Sequence, residues 1–234
     1  MSFLLKPWHF VFVALCGWVN EPQQQVIEFQ NAQIDALLQK LGNKRVLLTD
    51  SLFATDFTTV EVWTTSGLVT YYVTAVMHLK TRRVHIAGIT PNPKSAWVQQ
   101  TCRQLTDVDG FLKDAGHLIV DRDASFLALR EFISHHTETE IVLLPPRSPD
   151  LNAYMERWFR SLKSECLDRM VFFGRQSLER AIHQYVEHFH QERNHQGLGN
   201  RLIDPSNETG AIAGTIECRE RLGGMLKYYH RRAA

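Results

Sequence analysis

His117-Leu118-Ile119-Val120-Asp121 opens, and Asn152-Ala153-Tyr154-Met155-Glu156-Arg157-Trp158-Phe159-Arg160-Ser161-Leu162-Lys163 closes, the stretch that decides how this chain folds. The first segment reads as a short apolar strand that delivers a carboxylate at its end, the usual place for functional groups in sheets with crossover helices. The second reads as a helix. At 100° per residue, Asn152, Arg160 and Lys163 fall within about 40° of Glu156, while Met155, Phe159, Leu162 and Cys166 form an adjacent apolar stripe that can pack on a sheet. One carboxylate at a strand end and another on a helix suggest oxygen ligands converging from separate elements on a divalent cation. A third carboxylate belongs to an earlier strand, where Ala54-Thr55-Asp56-Phe57-Thr58 supplies Asp56. A carboxylate among β-prone residues is costly unless it meets a cation, a basic partner or solvent.

Outward from that stretch, the pattern alternates. Phe53 to Thr64 and Val69 to Met77 are rich in β-branched and aromatic residues, as is Val84 to Ile89. Thr65-Ser66-Gly67 and Lys80-Thr81-Arg82 are turns, so these three strands form an antiparallel meander. Pro91-Asn92-Pro93 breaks it. Ser95 to Leu105 reads as a helix with Trp97, Val98, Thr101, Cys102 and Leu105 inward, followed by the strand ending at Asp121, a helix from about 125 to 135, and a strand over Glu140 to Leu144. Strands alternating with helices imply parallel crossovers. Pro145-Pro146-Arg147-Ser148-Pro149-Asp150 is a rigid extended loop before the Glu156 helix. Ser177 to Gln191 forms a last long helix. Beyond Pro205, Gly210, Gly214, Gly223 and Gly224 suggest a loose tail with a basic end at Lys227, Arg231 and Arg232.

Five segments occur in a meaningful order: Thr55-Asp56-Phe57-Thr58-Thr59-Val60-Glu61-Val62-Trp63; Thr81-Arg82-Arg83-Val84; Val120-Asp121-Arg122-Asp123-Ala124-Ser125-Phe126; Ser148 to Glu165; and Arg193-Asn194-His195 with Gly197-Leu198-Gly199. Together they resemble the DDE catalytic domain shared by insertion-sequence transposases and retroviral-type integrases, over roughly Leu52 to Pro205. The resemblance implies an α/β, ribonuclease H-like mixed sheet, three antiparallel strands then parallel α/β units, with an N-terminal helical appendage. It implies Asp56, Asp121 and Glu156 as catalytic residues and ligands of two Mg²⁺ or Mn²⁺ ions, and Asn152, Arg160 and Lys163 as DNA-binding residues. Asp123 shares a strand face with Asp121 and competes with it. The family's aromatic five residues on, matched by Phe126, favours Asp121 and leaves Asp123 to cap the next helix. His78 stands where the family more often has an acidic residue.

The expected activity is transposition or integration by metal-dependent phosphoryl transfer, nicking element ends and joining strands, with DNA and further copies of the chain as partners. The alternatives are a shortened transposase relic that binds DNA or a full-length relative, and a ribonuclease H-like nuclease of other purpose. Lys and Arg number 26 against 25 Asp and Glu, a net charge of +1, so any DNA affinity rests on local basic clusters rather than on bulk charge. Hydrophobic residues at 44% and charged residues at 22% fit an ordinary globular domain. Cys16, Cys102, Cys166 and Cys218 lie far apart with no CxxC pair, which argues against a disulfide framework or zinc ribbon and for a reducing cytosol. Eleven histidines include His183, His188, His190 and His195, but no HExxH, and these four read as surface or DNA-proximal groups.

The first 50 residues read as a separate helical segment, 51–205 as the catalytic core and 206–234 as a tail. Pro7 to Val19 is apolar yet too short to span a membrane, which takes about 20 residues, and no small-x-small cleavage site follows. It reads as a packed or partner-binding helix, with no membrane association. Pro22 to Leu41 carries Val26, Phe29, Ile34, Leu37, Leu38 and Leu41 at helical spacing, with Gly42 as its stop. That helix either docks on the main domain or self-associates. Between Gly42 and the first strand only about ten residues remain, too few for the helix-turn-helix that transposases of this type carry.

Overall fold

The structure, a computed structural model, describes residues 51–144, 152–205 and 214–232. All of them belong to one compact unit, Leu48–Ala234. The helices expected in the first 50 residues and the proline-rich loop at 145–150 lie outside the described residues.

Strand β1, Leu52–Thr64, is the axis of the sheet. Its alternation is two-sided: Ala54, Val60 and Val62 are buried in one apolar cluster, and Phe53 in another. It pairs antiparallel with β2, Gly67–His78, from Phe53↔His78 to Thr64↔Gly67. The turn between them needs Gly67, whose φ is +104°. Strand β3, Val84–Thr90, continues the meander on β2. Helix α1, Ser95–Thr106, crosses over with Val98, Thr101, Cys102 and Leu105 buried. Trp97 lies against Gly88, where an added Cβ would sit 2.4 Å from the indole, so the helix–sheet approach depends on that glycine.

The chain returns parallel to β1 as β4, His117–Val120, and after helix α2, Leu127–His136, parallel to β4 as β5, Glu140–Leu143. The order β3-β2-β1-β4-β5, three antiparallel strands and two parallel additions, is the ribonuclease H-like arrangement expected from the sequence. Helices α1 and α2 cover one face. Helix α3, Ala153–Glu165, and helix α4, Arg175–Gln191, cover the other. The apolar stripe of α3 is buried as its spacing requires, Met155, Phe159, Leu162 and Cys166 being joined by Trp158. Between α3 and α4 a two-residue strand β6, Phe172–Phe173, pairs parallel with the far end of β1; nothing in its length signals it.

Within the expected loose tail, the described residues form a hairpin. Strand β7, Ile216–Arg221, pairs antiparallel with β8, Leu226–Arg231, around Gly223 and Gly224, both with positive φ. The glycines serve the turn rather than disorder. Arg221 anchors the hairpin to α4, donating from Nε to Glu192 at 2.9 and 3.0 Å and from Nη2 at 2.8 Å, with a further pair to Glu187. Leu222 N donates to Gln184 Oε1 at 2.8 Å, and Leu222 and Leu226 enter the α3–α4 core. The basic end is largely paired within the hairpin, Lys227 with Glu220 and Arg232 with Glu217. Among the described residues no helix is long and apolar enough to cross a membrane, and Cys102, Cys166 and Cys218 are free thiols.

The Glu192 side chain is fully buried. Burial alone would raise its pKa, but Arg221 and His188 outweigh that and hold it low. Removing the guanidinium leaves a buried carboxylate short of its main partner. Arg221→Met is expected to cost about 3 kcal/mol, measured as a fall in the urea midpoint, and to open residues 214–232 to limited proteolysis.

Candidate active site

Parallel pairing of β1 with β4 sets the geometry. Its register is Leu52↔His117, Phe53↔Leu118 and Ala54↔Ile119. Carried two residues further, the same register brings Asp56 abreast of Asp121. Side chains alternate along a strand, so Asp56 shares a face with Ala54, and Asp121 with Ile119. Ala54 and Ile119 both pack in the cluster under α3 and α4. The two aspartates therefore face the layer that carries Glu156, on the first turn of α3.

The charges act on one another. The Asp56 carboxyl is pushed up from 3.8 to about 6, first by burial, then by the negative charges of Asp121, Glu156 and, least, Asp123, against a lowering by the Phe57 N–H. Asp56 Oδ1 accepts that N–H at 2.8 Å, and Asp121 Oδ1 accepts the N–H of Arg122 at 2.6 Å. The Arg122 side chain turns to the carbonyl of Leu144, donating from Nε at 2.7 Å. Of the two neighbouring aspartates, Asp121 acts on Asp56 more strongly than Asp123 does. Helix α2 starts without a side-chain cap, from a 3₁₀ turn in which Phe126 N donates to the Asp123 carbonyl at 3.1 Å. The capping role expected of Asp123 is therefore carried by its main chain. Among the described residues no three His, Cys, Asp or Glu side chains stand close enough as placed to hold one ion. The three carboxylates share an electrostatic neighbourhood rather than a closed coordination shell.

Arg160 is exposed and Lys163 half-buried on the same helix. Asn152 differs from the expectation: it is 4% exposed and sits at the N-cap of α3, so it is part of the helix's seating and not of its open face. Its Oδ1 has no hydrogen-bond partner among the described residues.

The remaining motifs are structural. Arg82, held in the left-handed region at φ 63°, stacks its guanidinium 3.4 Å from the centroid of the Tyr154 ring, on the first turn of α3. Arg83 pairs with Asp204. Val84 N donates to His190 Nε2 at 3.0 Å. The four clustered histidines are not alike. His183 alone is well exposed, at 75%. His188 is buried and donates from Nδ1 to Glu192 at 2.9 Å, while His195 Nε2 donates to the Phe189 carbonyl at 2.8 Å. His188 is buried and His190 half-buried on the packed side of α4, and His195 is half-buried just beyond its end, so none of these three is a freely exposed surface group. His78, the departure from the acidic residue usual there, stacks on Phe53 at 4.8 Å and bonds Thr81 at 2.7 Å.

A family model described as Integrase core domain matches residues 137–202. This stretch carries an integrase core signature. It contains Glu156, the rest of α3 and Arg193-Asn194-His195, and stops short of Asp56 and Asp121. No curated protein matches the chain. Among solved structures the chain is similar to the catalytic core domain of BIV integrase, at 17% identity and TM-score 0.46 over 66% of this chain and 91% of that one. It is also similar to the HTLV-2 integrase catalytic core domain in complex with magnesium, at 14% identity and TM-score 0.40 over 62% and 90%. A third is the simian T-cell lymphotropic virus intasome with a PP2A regulatory subunit, at 12% identity and TM-score 0.45 over 81% and 69%.

Two titrations here act in opposite directions. His190 is lowered to about 4, mainly by burial, with Arg83 and His195 lowering it further and Asp204 raising it. Its neutral ring accepts from Val84, so this stability is present above about pH 6.5 and drains away as pH falls towards 4. Asp56 is raised, so ionising it costs stability as pH climbs from 3.8 through about 6. Urea titrations at stepped pH should show His190→Gln flattening the acid loss by about 2 kcal/mol, and Asp56→Asn stabilising the protein at pH 7 by about 1–2 kcal/mol.

Proposed function

We propose that the chain is the catalytic core of a transposase or integrase that cuts and joins DNA by metal-dependent phosphoryl transfer. The match over 137–202 points to polynucleotidyl transfer in general. The observation that supports the finer reading is the β1–β4 register, which sets Asp56 and Asp121 on one face, together with Glu156 acting on Asp56, whose carboxyl is raised to about 6 first by burial and then by the other two acids. Negative charge gathered in this way in a half-buried site favours a counter-cation or a shared proton. Three carboxylates are hard oxygen donors, which fit Mg²⁺ or Mn²⁺ and not zinc. Divalent ions held there supply Lewis acidity towards a phosphoryl oxygen and lower the pKa of an attacking hydroxyl.

The chain's own groups divide the rest of the work. Asp56 is fixed by β1 and the Phe57 N–H, Asp121 by β4 and the Arg122 N–H, and Glu156 by α3. Arg160 and Lys163 lie on the Glu156 side of α3, where cations grip phosphates and set affinity without reading sequence. Both the element ends and the target duplex fit that description, and two copies of the core are the simplest way to hold two ends.

Supercoiled plasmid in Mn²⁺ provides the test. The wild type is expected to nick it, and Asp56→Asn, Asp121→Asn and Glu156→Gln each to lose at least about 10³-fold in rate with unchanged circular dichroism. A wild type that binds the plasmid but nicks nothing would make the chain a binding relic. Arg160→Ala and Lys163→Ala are expected to weaken binding to all sequences alike, each reducing the slope of log affinity against log salt by about 1, as read by fluorescence anisotropy.

A further inference from the structure

The side of α3 away from Glu156 carries a closed polar network. Arg193 Nη1 donates to Ser161 Oγ at 2.6 Å and to both oxygens of Glu165 at 2.9 Å. Tyr185 OH donates to Ser161 Oγ at 2.8 Å, and Ser161 donates to Glu165 Oε1 at 2.8 Å. The Ser161 hydroxyl thus accepts twice and donates once, its full capacity. Tyr185 is fully buried and edge-on to Trp158, at 6.3 Å between ring centroids, so one arm of the network reaches into the apolar contact between α3 and α4, while the Arg193–Glu165 pair is about a third exposed at its edge. Arg193 itself is placed by the end of α4, where its N–H donates to the His188 carbonyl at 3.0 Å.

Geometry gives the network a direction. Glu165 lies nine residues beyond Glu156, about 180° around the helix, so a pull on Glu165 bears on the opposite flank from the candidate site. The buried apolar stripe of α3 already resists sliding and rotation through close packing. A guanidinium that holds two positions one turn apart adds a directional restraint against both motions.

We infer that Arg193, acting through Ser161 and Glu165 with Tyr185 as the second donor, is a positioning residue that sets the rotation and height of α3 and so holds Glu156 opposite Asp56 and Asp121. The inference rests on the proposed function only for its kinetic half. Loss of about 1 Å in placement can cost about 100-fold in rate, so effects on chemistry should exceed effects on DNA binding.

Arg193→Gln and the near-isosteric Tyr185→Phe test it, with Arg193→Lys as the conservative rescue. Amide hydrogen exchange over Ala153–Glu165 should quicken at least about tenfold in the first two, while exchange in β1 and β4 stays unchanged. The nicking rate at saturating plasmid should fall at least about tenfold with half-saturating DNA unchanged. Arg193→Lys, which keeps the charge and can still donate to Ser161 and Glu165, should recover most of both. Unchanged exchange in both variants overturns the inference, as does faster exchange with an unchanged rate. A wild type that nicks nothing overturns the proposed function and the kinetic half with it, leaving the exchange measurement to decide whether the clamp holds α3.

Discussion

Three main-chain pairings between β1 and β4 determine where the chemistry of this protein can be. They lock two distant parts of the chain into parallel register at Ala54↔Ile119. Because side chains repeat every two residues, they also send Asp56 and Asp121 to the same face. A slip of one residue would turn one aspartate to the opposite layer, under α1 and α2. That slip is prevented by Phe53 and Leu118 on one face and Ala54 and Ile119 on the other, which are apolar and packed on their own sides. The sheet's core packing thus specifies the alignment of its most polar residues.

Burial of Asp56 is the cost of this arrangement. A carboxylate raised to about 6 is strained in its ionised form, and two further acids stand nearby. The remaining motifs are spread over the scaffold that surrounds α3. Arg82 seats its first turn on the Tyr154 ring, Arg193 grips its last turn, and Arg83, Val84 and His190 tie β3 to α4. Segments that appear equivalent in sequence therefore divide into the few that carry the candidate site and a larger set that packs the scaffold around it.

The C-terminal hairpin extends the same logic. It adds little apolar surface, Leu222 and Leu226, and relies on one buried guanidinium–carboxylate pair. Pairs of that kind contribute orientation more than net stability, because desolvation offsets most of the attraction. Arg221 and Glu192 thus fix where a two-stranded ribbon sits on α4 rather than how tightly the domain folds.

Much of this was open to reading in the chain alone. The five main strands, the helix that bears Glu156 and the apolar stripe beneath it follow from local periodicity, which depends only on neighbours in sequence. The ribonuclease H-like order follows from turn lengths and crossover lengths. The tail was misread because Gly223 and Gly224 look the same in a flexible segment and in a tight turn, and their partner, Glu192, lies on another element. The partial or full burial of His188, His190 and His195 has no signature in the sequence, because burial of a polar side chain depends on what packs across from it. Sequence by itself determined which residues could form strands, helices and a carboxylate site. Only the tertiary structure decided which acids share a face, which basic residues hold the scaffold, and that Asn152 is buried, because those are contacts between segments that no local pattern records.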